Sequence, residues 1–275
     1  MSESTIQPST AENLPSAEGI VDKIDGLESK VALVTGGSRG LGAAVCRLAA
    51  RDGYDVAINY AGREDAARAV AEEVRAFGRK AITIQADIAD PAAVEAMFER
   101  TAKELGYVSA FVSNAGIINR SAPLADMSLE EIRRVVDVDL TAYLVCNREA
   151  VRRMARSRGG SGGVIVNMSS MASELYGAGG FIPYGAAKSG VDVLTIGLGR
   201  EVAGDGIRVV GLRPGLIDTD IQHDTGIENR LARFGPTVPL GRGGTAEEVA
   251  EAVVWLLSDK ASYITATLLN VSGGR

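Results

Sequence analysis

The sequence predicts a doubly wound α/β fold: one parallel sheet of about seven strands with helices on both faces. Short runs of β-branched residues alternate with longer segments of helical period, as repeated βαβ units require. A glycine-rich turn joins the first such run to the first helical segment. There is no internal repeat and no sign of a second domain.

Taken in order, residues 1–28 are rich in Ser, Glu, Ala and Pro and lack apolar periodicity, which predicts a flexible N-terminal arm. The regular pattern, and with it the single domain, spans residues 29–275. The expected strands are Val31–Val34, Asp55–Asn59, Ala81–Gln85, Ala110–Val112, Gly163–Asn167, Ile207–Leu212 and Leu268–Val271. Helical stretches fall between them near residues 40–51, 64–77, 91–105, 128–156, 184–203 and 246–257. Asp90 before Pro91 supplies a cap and a proline at the first helical position, and Thr245 with Glu248 forms a capping box. Residues 214–244 are rich in Gly and Pro and weakly patterned, and a loop of that length in a compact domain points to function.

Composition excludes several classes. Of 275 residues, 46% are hydrophobic, enough for a sizeable core. The net charge of −6 and the pI near 5.1 come without an extended basic patch, which argues against a nucleic-acid partner. Five arginines between Arg148 and Arg158 read as the solvated end of a long helix. Cys46 and Cys146 fall inside apolar helical patterns and read as small buried hydrophobes of a reducing compartment. With His223 the one histidine, neither a histidine triad nor a multi-histidine metal site is expected. No run of eighteen apolar residues predicts a membrane span, and the acidic start is unlike a signal peptide, so a cytoplasmic protein is expected.

Tyr184 and Lys188 lie four residues apart, on one face of an expected helix, and Ser170 precedes the tyrosine by fourteen positions. A free tyrosine titrates near pH 10 and is a poor acid or base at neutral pH; lowering it by three units takes about 4 kcal/mol. One unit charge about 4 Å away supplies roughly that at an effective dielectric near 20. The serine hydroxyl can hold a carbonyl or alcohol oxygen while the tyrosine moves its proton. The glycine turn, Thr35-Gly36-Gly37-Ser38-Arg39-Gly40-Leu41-Gly42, has the spacing G-x-x-x-G-x-G and leads into a helix N-terminus, where free N–H groups favour phosphate.

The turn and the Tyr184-x-x-x-Lys188 pair together resemble the short-chain dehydrogenase/reductase family, in its short single-domain branch. Further motifs match in order: Asp87 after the third strand, Ser113-Asn114-Ala115-Gly116 at the fourth, Asn167-Met168-Ser169-Ser170 at the fifth and Arg213-Pro214-Gly215-Leu216-Ile217-Asp218-Thr219 at the sixth. The resemblance covers residues 30–275. It implies a Rossmann-like fold and hydride transfer between a nicotinamide cofactor and a carbonyl or secondary alcohol. Tyr184 is then the general acid/base, Ser170 holds the substrate oxygen, and Lys188 tunes the tyrosine and holds the cofactor ribose. The resemblance places the cofactor against Thr35, Gly36, Ser38, Arg39, Gly40, Leu41 and Gly42, then Asn59, Tyr60, Ala61, Asp87 and Ile88. Asn114, Ala115, Gly116, Tyr184, Lys188, Pro214, Gly215, Ile217 and Thr219 complete that set.

After the second strand the chain reads Asn59-Tyr60-Ala61-Gly62-Arg63, with no carboxylate before Glu64. A carboxylate there would select NAD. Its absence, with Arg39 and Arg63 available to pair with a phosphate, favours NADP over NAD. The family usually carries an asparagine on the long helix after the fourth strand, where this chain has Asp139. A carboxylate near Lys188 stabilises its charge and partly offsets its pull on Tyr184. Glu174, Tyr176, Phe181, His223 and Phe234 are candidates for the substrate mouth by position, and Arg230, Arg233 and Arg242 for a basic rim. A 3-oxoacyl thioester, a sugar and a small ketone all remain open as substrates. The family habit implies a homotetramer through the two long helices and the last strand. The competing readings are a sugar-nucleotide epimerase or dehydratase and a non-catalytic NADP-binding scaffold.

Overall fold

A computed structural model describes residues 30–275 of the chain. The expected arm at 1–28 lies outside the described residues. The strands are β1 (Val31–Val34), β2 (Asp55–Tyr60), β3 (Ala81–Gln85), β4 (Val108–Ser113), β5 (Gly163–Met168), β6 (Ile207–Pro214) and β7 (Thr267–Val271). They form one seven-stranded sheet in the order β3-β2-β1-β4-β5-β6-β7, parallel throughout.

Successive residues of each strand point to opposite faces, and both faces are apolar. Ala32 and Val34 of β1 enter one core cluster with α1 (Gly40–Arg51), α2 (Glu64–Ala76) and α8 (Ala246–Leu257). Val31 and Leu33 enter the other, with α3 (Pro91–Leu105) and α5 (Ala142–Met154). α4 (Leu129–Val136) leads into α5, and α6 (Ile182–Val202) crosses back between β5 and β6. Asp90 caps α3 by accepting from the Ala92 N–H at 2.9 Å. Thr245 and Glu248 close the expected capping box on α8.

Two regions depart from the sequence expectation. The helix expected over 128–156 is broken by a π-helical turn at Asp137–Thr141, which shifts the register where Asp139 sits. The hydrophobic spacing does not betray it, because Val135, Val138 and Ala142 are all still buried. The long loop expected over 214–244 holds short helical turns at Asp220–Thr225 and Gly235–Thr237 and a helix, α7, at Arg230–Phe234. A bridge from Ile217 to Gly244 ties its two ends together.

Parallel strands present all their C-terminal ends at one edge, and the order reverses between β1 and β4. A crevice opens at such a switch point. No helix among the described residues is long and apolar enough to cross a membrane.

Candidate active site

The crevice is a cleft of about 310 Å³. The turn after β1 forms its floor, and tight packing holds that turn in place. A Cβ on Gly42 would lie 2.2 Å from the Gly36 carbonyl oxygen, and one on Gly36, at φ +63°, would lie 2.8 Å from Ala115 Cα. Thr35 is fully buried beneath the turn. Its hydroxyl accepts from the backbone N–H groups of Asn114 and Ala115 at 2.9 and 3.1 Å. The Asn114 amide donates to the Thr35 carbonyl at 2.9 Å, which couples the ends of β1 and β4. α1 begins at this turn with no side-chain cap and no acidic residue in its first turn, leaving its N–H groups to the cleft.

The ends of β5 and α6 supply the opposite wall. Ser170, Tyr184, Lys188 and Asp139 all line the same cleft. Lys188 is buried, and its ammonium donates to the Met168 carbonyl at 3.0 Å and the Tyr143 hydroxyl at 3.2 Å. It also forms an ion pair with Asp139 Oδ1 at 3.2 Å. The Lys188 Nζ sits 5.6 Å from the Tyr184 ring centroid and 4.4 Å from that of Tyr143. The second Asp139 oxygen accepts from the Ile117 N–H at 3.3 Å. A buried side-chain network anchors this wall. The Asn147 amide donates to Asn167 Oδ1 at 2.8 Å, and the Asn167 amide donates to the Thr195 hydroxyl at 3.1 Å.

Comparison with known proteins agrees with this arrangement. A family model described as enoyl-(acyl carrier protein) reductase matches residues 36–275. The chain is 46% identical to the uncharacterized oxidoreductase YgfF of Escherichia coli (strain K12), over 89% of this chain and 99% of that one. It is 38% identical to the 3-oxoacyl-(acyl-carrier-protein) reductase FabG of Staphylococcus aureus, over 90% and 98%. A short chain dehydrogenase from Burkholderia cenocepacia J2315, solved in complex with NADP, superposes with a TM-score of 0.82 at 35% identity, covering 90% of this chain and 98% of that one.

The chain belongs to the short-chain dehydrogenase/reductase family. It is therefore an oxidoreductase, and the epimerase reading finds no support among these relatives.

Of the cofactor residues expected in this dehydrogenase/reductase, all but Thr35 line the cleft. Thr35 shapes the turn from below, with its hydroxyl committed to the backbone. Asn59 reaches the cleft, but its side chain is engaged: Oδ1 accepts from the Gly36 N–H at 3.2 Å and Nδ2 donates to the Ala86 carbonyl at 3.0 Å. Asp87 is held at 3.2 Å by Arg134, a lining residue that the sequence reading missed. Tyr143 was missed as well, although it lies one helical turn beyond Asp139 and so shares its face. Of the residues expected at the substrate mouth, Phe181 lines a second pocket of about 90 Å³ that shares Ser170 and Tyr184 with the cleft. Glu174 pairs instead with Arg213, and Tyr176 is 86% exposed. Phe234 lies under the guanidinium of Arg233.

The electrostatics correct one expectation. Burial pushes the Tyr184 phenol above its ordinary value; Lys188 and a hydrogen bond from Ser170 pull it down, and Asp139 pushes it up again. The net direction is upward in the protein alone, not the lowering that one nearby lysine predicts. Burial likewise raises Asp139, against the pull of Lys188. Burial places the Tyr143 phenol well above its usual range, so Tyr143 serves Lys188 as a neutral hydroxyl.

Proposed function

We propose that this protein is an NADP(H)-dependent reductase of carbonyl compounds, reversible toward secondary alcohols, with Tyr184 as its general acid and base. The observation that carries this reading is the convergence of Ser170, Tyr184 and Lys188 on the wall facing the glycine turn, across one cleft. The cleft fits a dinucleotide. Its floor leaves no room for a Cβ at Gly42, and the N-terminus of α1 is uncapped, the usual site for a phosphate. Backbone groups from Gly36 to Gly42 would hold the cofactor, with Asn114, Pro214, Gly215, Ile217 and Thr219 on the other side.

Arg39 and Arg63 line the cleft, and both side chains are more than half exposed. No acidic side chain follows β2 until Glu64. That pattern suits the extra phosphate of NADP, and a relative of similar fold carries NADP.

Bound NADPH supplies the hydride for the carbonyl carbon. The chain's own part is to place and protonate the oxygen. Ser170 donates a hydrogen bond to that oxygen, and Tyr184 gives up its phenolic proton to it. Lys188 holds a positive charge below the ring and stabilises the phenolate that remains. Asp139 neutralises part of that charge and keeps the ammonium fixed. In the alcohol direction Tyr184 takes the proton, so activity rises with pH toward its pKa.

The test is NADPH and NADH consumption over a panel of ketones, aldehydes and 3-oxoacyl thioesters. Tyr184→Phe is expected to lower kcat by about 10²–10⁴-fold. Tight NADPH binding without turnover of any carbonyl would instead favour the scaffold reading. A further part of the proposal is self-association through α5 and α6, where Leu144 and Val193 are 48% and 73% exposed. Light scattering should give a tetramer, and a monomer would remove that part.

A further inference from the structure

The second pocket differs from the cleft in its charge. Its walls are apolar, built by Met171, Leu175, Phe181 and Leu216. Among the described residues its charged lining is Arg230 and Arg275, with no acidic side chain. Ser170 and Tyr184 line both spaces, so whatever enters this pocket adjoins the proton donor.

Arg230 is held in place rather than free in solvent. Its guanidinium stacks on the Phe181 ring at 5.0 Å from the centroid, and it donates to the Gln222 side-chain carbonyl. Among the described residues, no carboxylate pairs with either arginine. Two other arginines near the mouth differ: Arg213 is tied to Glu174 and Asp192, and Arg242 to Glu248. Arg230 is half-buried and Arg275 is exposed, and the two cations are close enough to repel one another, which leaves the site unbalanced. Partial burial beside the apolar walls strengthens the attraction of Arg230 for an anion.

We infer that the substrate is an oxo-carboxylic acid, whose carbonyl meets Ser170 and Tyr184 while its carboxylate is held by Arg230 and Arg275. This deepens the reductase reading and rests on it. The planar forks of arginine suit a carboxylate, and the apolar walls suit a short aliphatic body between the two groups. A charge-assisted hydrogen bond of this kind is worth roughly tenfold or more in affinity.

Two measurements on the full-length protein separate the possible failures. In the first, hexanoate, which carries the carboxylate but no carbonyl, is titrated calorimetrically into the NADP⁺-loaded protein. Binding is expected, weakened about tenfold or more in Arg230→Gln and in Arg275→Gln. Arg100→Gln, an exposed arginine of α3 that lines neither space, is the control, with affinity unchanged. In the second, 5-oxohexanoate and its methyl ester are compared as substrates with NADPH. The acid should have the higher kcat/KM, and the acid-to-ester ratio should fall about tenfold in either arginine variant. Hexanoate that binds wild type and both variants alike, or does not bind, overturns the carboxylate site, as does an ester reduced as well as the acid. Hexanoate binding that depends on both arginines, with neither carbonyl compound reduced, would instead count against the reductase reading.

Discussion

Asp139 and Glu149 lie on one helical run, both buried and both facing cations, yet their acidities move in opposite directions. The Asp139 side chain is 0% exposed and faces one ammonium, itself only 3% exposed. Burial outweighs that single partner, and the carboxyl is pushed up. The Glu149 side chain is 3% exposed, and burial alone would raise it too. Arg153, Arg152 and Arg148 reverse the balance and hold it below the usual carboxylate range. Two of those guanidinium groups remain more than half exposed, so they keep their hydration while adding hydrogen bonds. Lys188 has given up its water and divides its protons among three oxygens. A carboxylate gripped by several solvated arginines is locked, whereas one facing a single buried lysine is poised.

The largest test of this contrast is Glu149→Ala. It removes the hydrogen bonds that three partly solvated arginines share and should cost about 2–4 kcal/mol, a fall in Tm on the order of 10 °C. A calorimetric Tm unchanged from wild type would show that the cluster is mere surface decoration. Next is Gly116→Ala, whose Cβ would lie 2.6 Å from Asp139 Oδ1 and 3.5 Å from Lys188 Nζ. It should displace the carboxylate at about 1–3 kcal/mol and change the pH–rate profile in the same sense as removing Asp139. Urea denaturation and a pH series read both effects, and a silent variant would mean that the pair is loosely placed.

Acid stability separates the two groups by sign. The folded pKa of Glu149 lies below its unfolded value, so its contribution is present above the unfolded carboxylate pKa and is lost as pH falls through the folded one. Glu149→Gln should therefore flatten the acid limb of Tm against pH. Asp139 has the opposite sign: its raised pKa means that folding disfavours its ionised form, and stability declines as pH climbs toward the folded value. Asp139→Asn should consequently cost little at neutral pH, within about 1 kcal/mol. A large loss there would contradict the poised reading.

The sheet was legible because parallel strands buried on both faces read as β-branched runs, and all seven were placed with errors only at their ends. Those ends depend on partners far away in sequence: β6 runs on to Pro214 because Arg213 and Pro214 pair with Asn270 and Val271 of β7. The cleft was legible through residue types that its geometry demands, such as Gly42 and Asn114. What sequence does not carry is solvent exposure. The five arginines of 148–158 look alike in sequence, yet three of them close on Glu149. The same gap explains Tyr184. The neighbouring charges of Lys188 and Asp139 were foreseen, but burial, the largest influence, reversed the net direction.

Beside the larger effect of burial, Asp139 holds the Tyr184 phenol up against the pull of Lys188. Tyrosinate absorbance near 295 nm, followed against pH in wild type, Tyr184→Phe and Asp139→Asn, tests it without a substrate. The step missing from Tyr184→Phe identifies Tyr184 among the seven tyrosines. Removing the carboxylate's negative charge favours the phenolate, so in Asp139→Asn that step should come at lower pH than in wild type. A step at the same or higher pH would contradict the account.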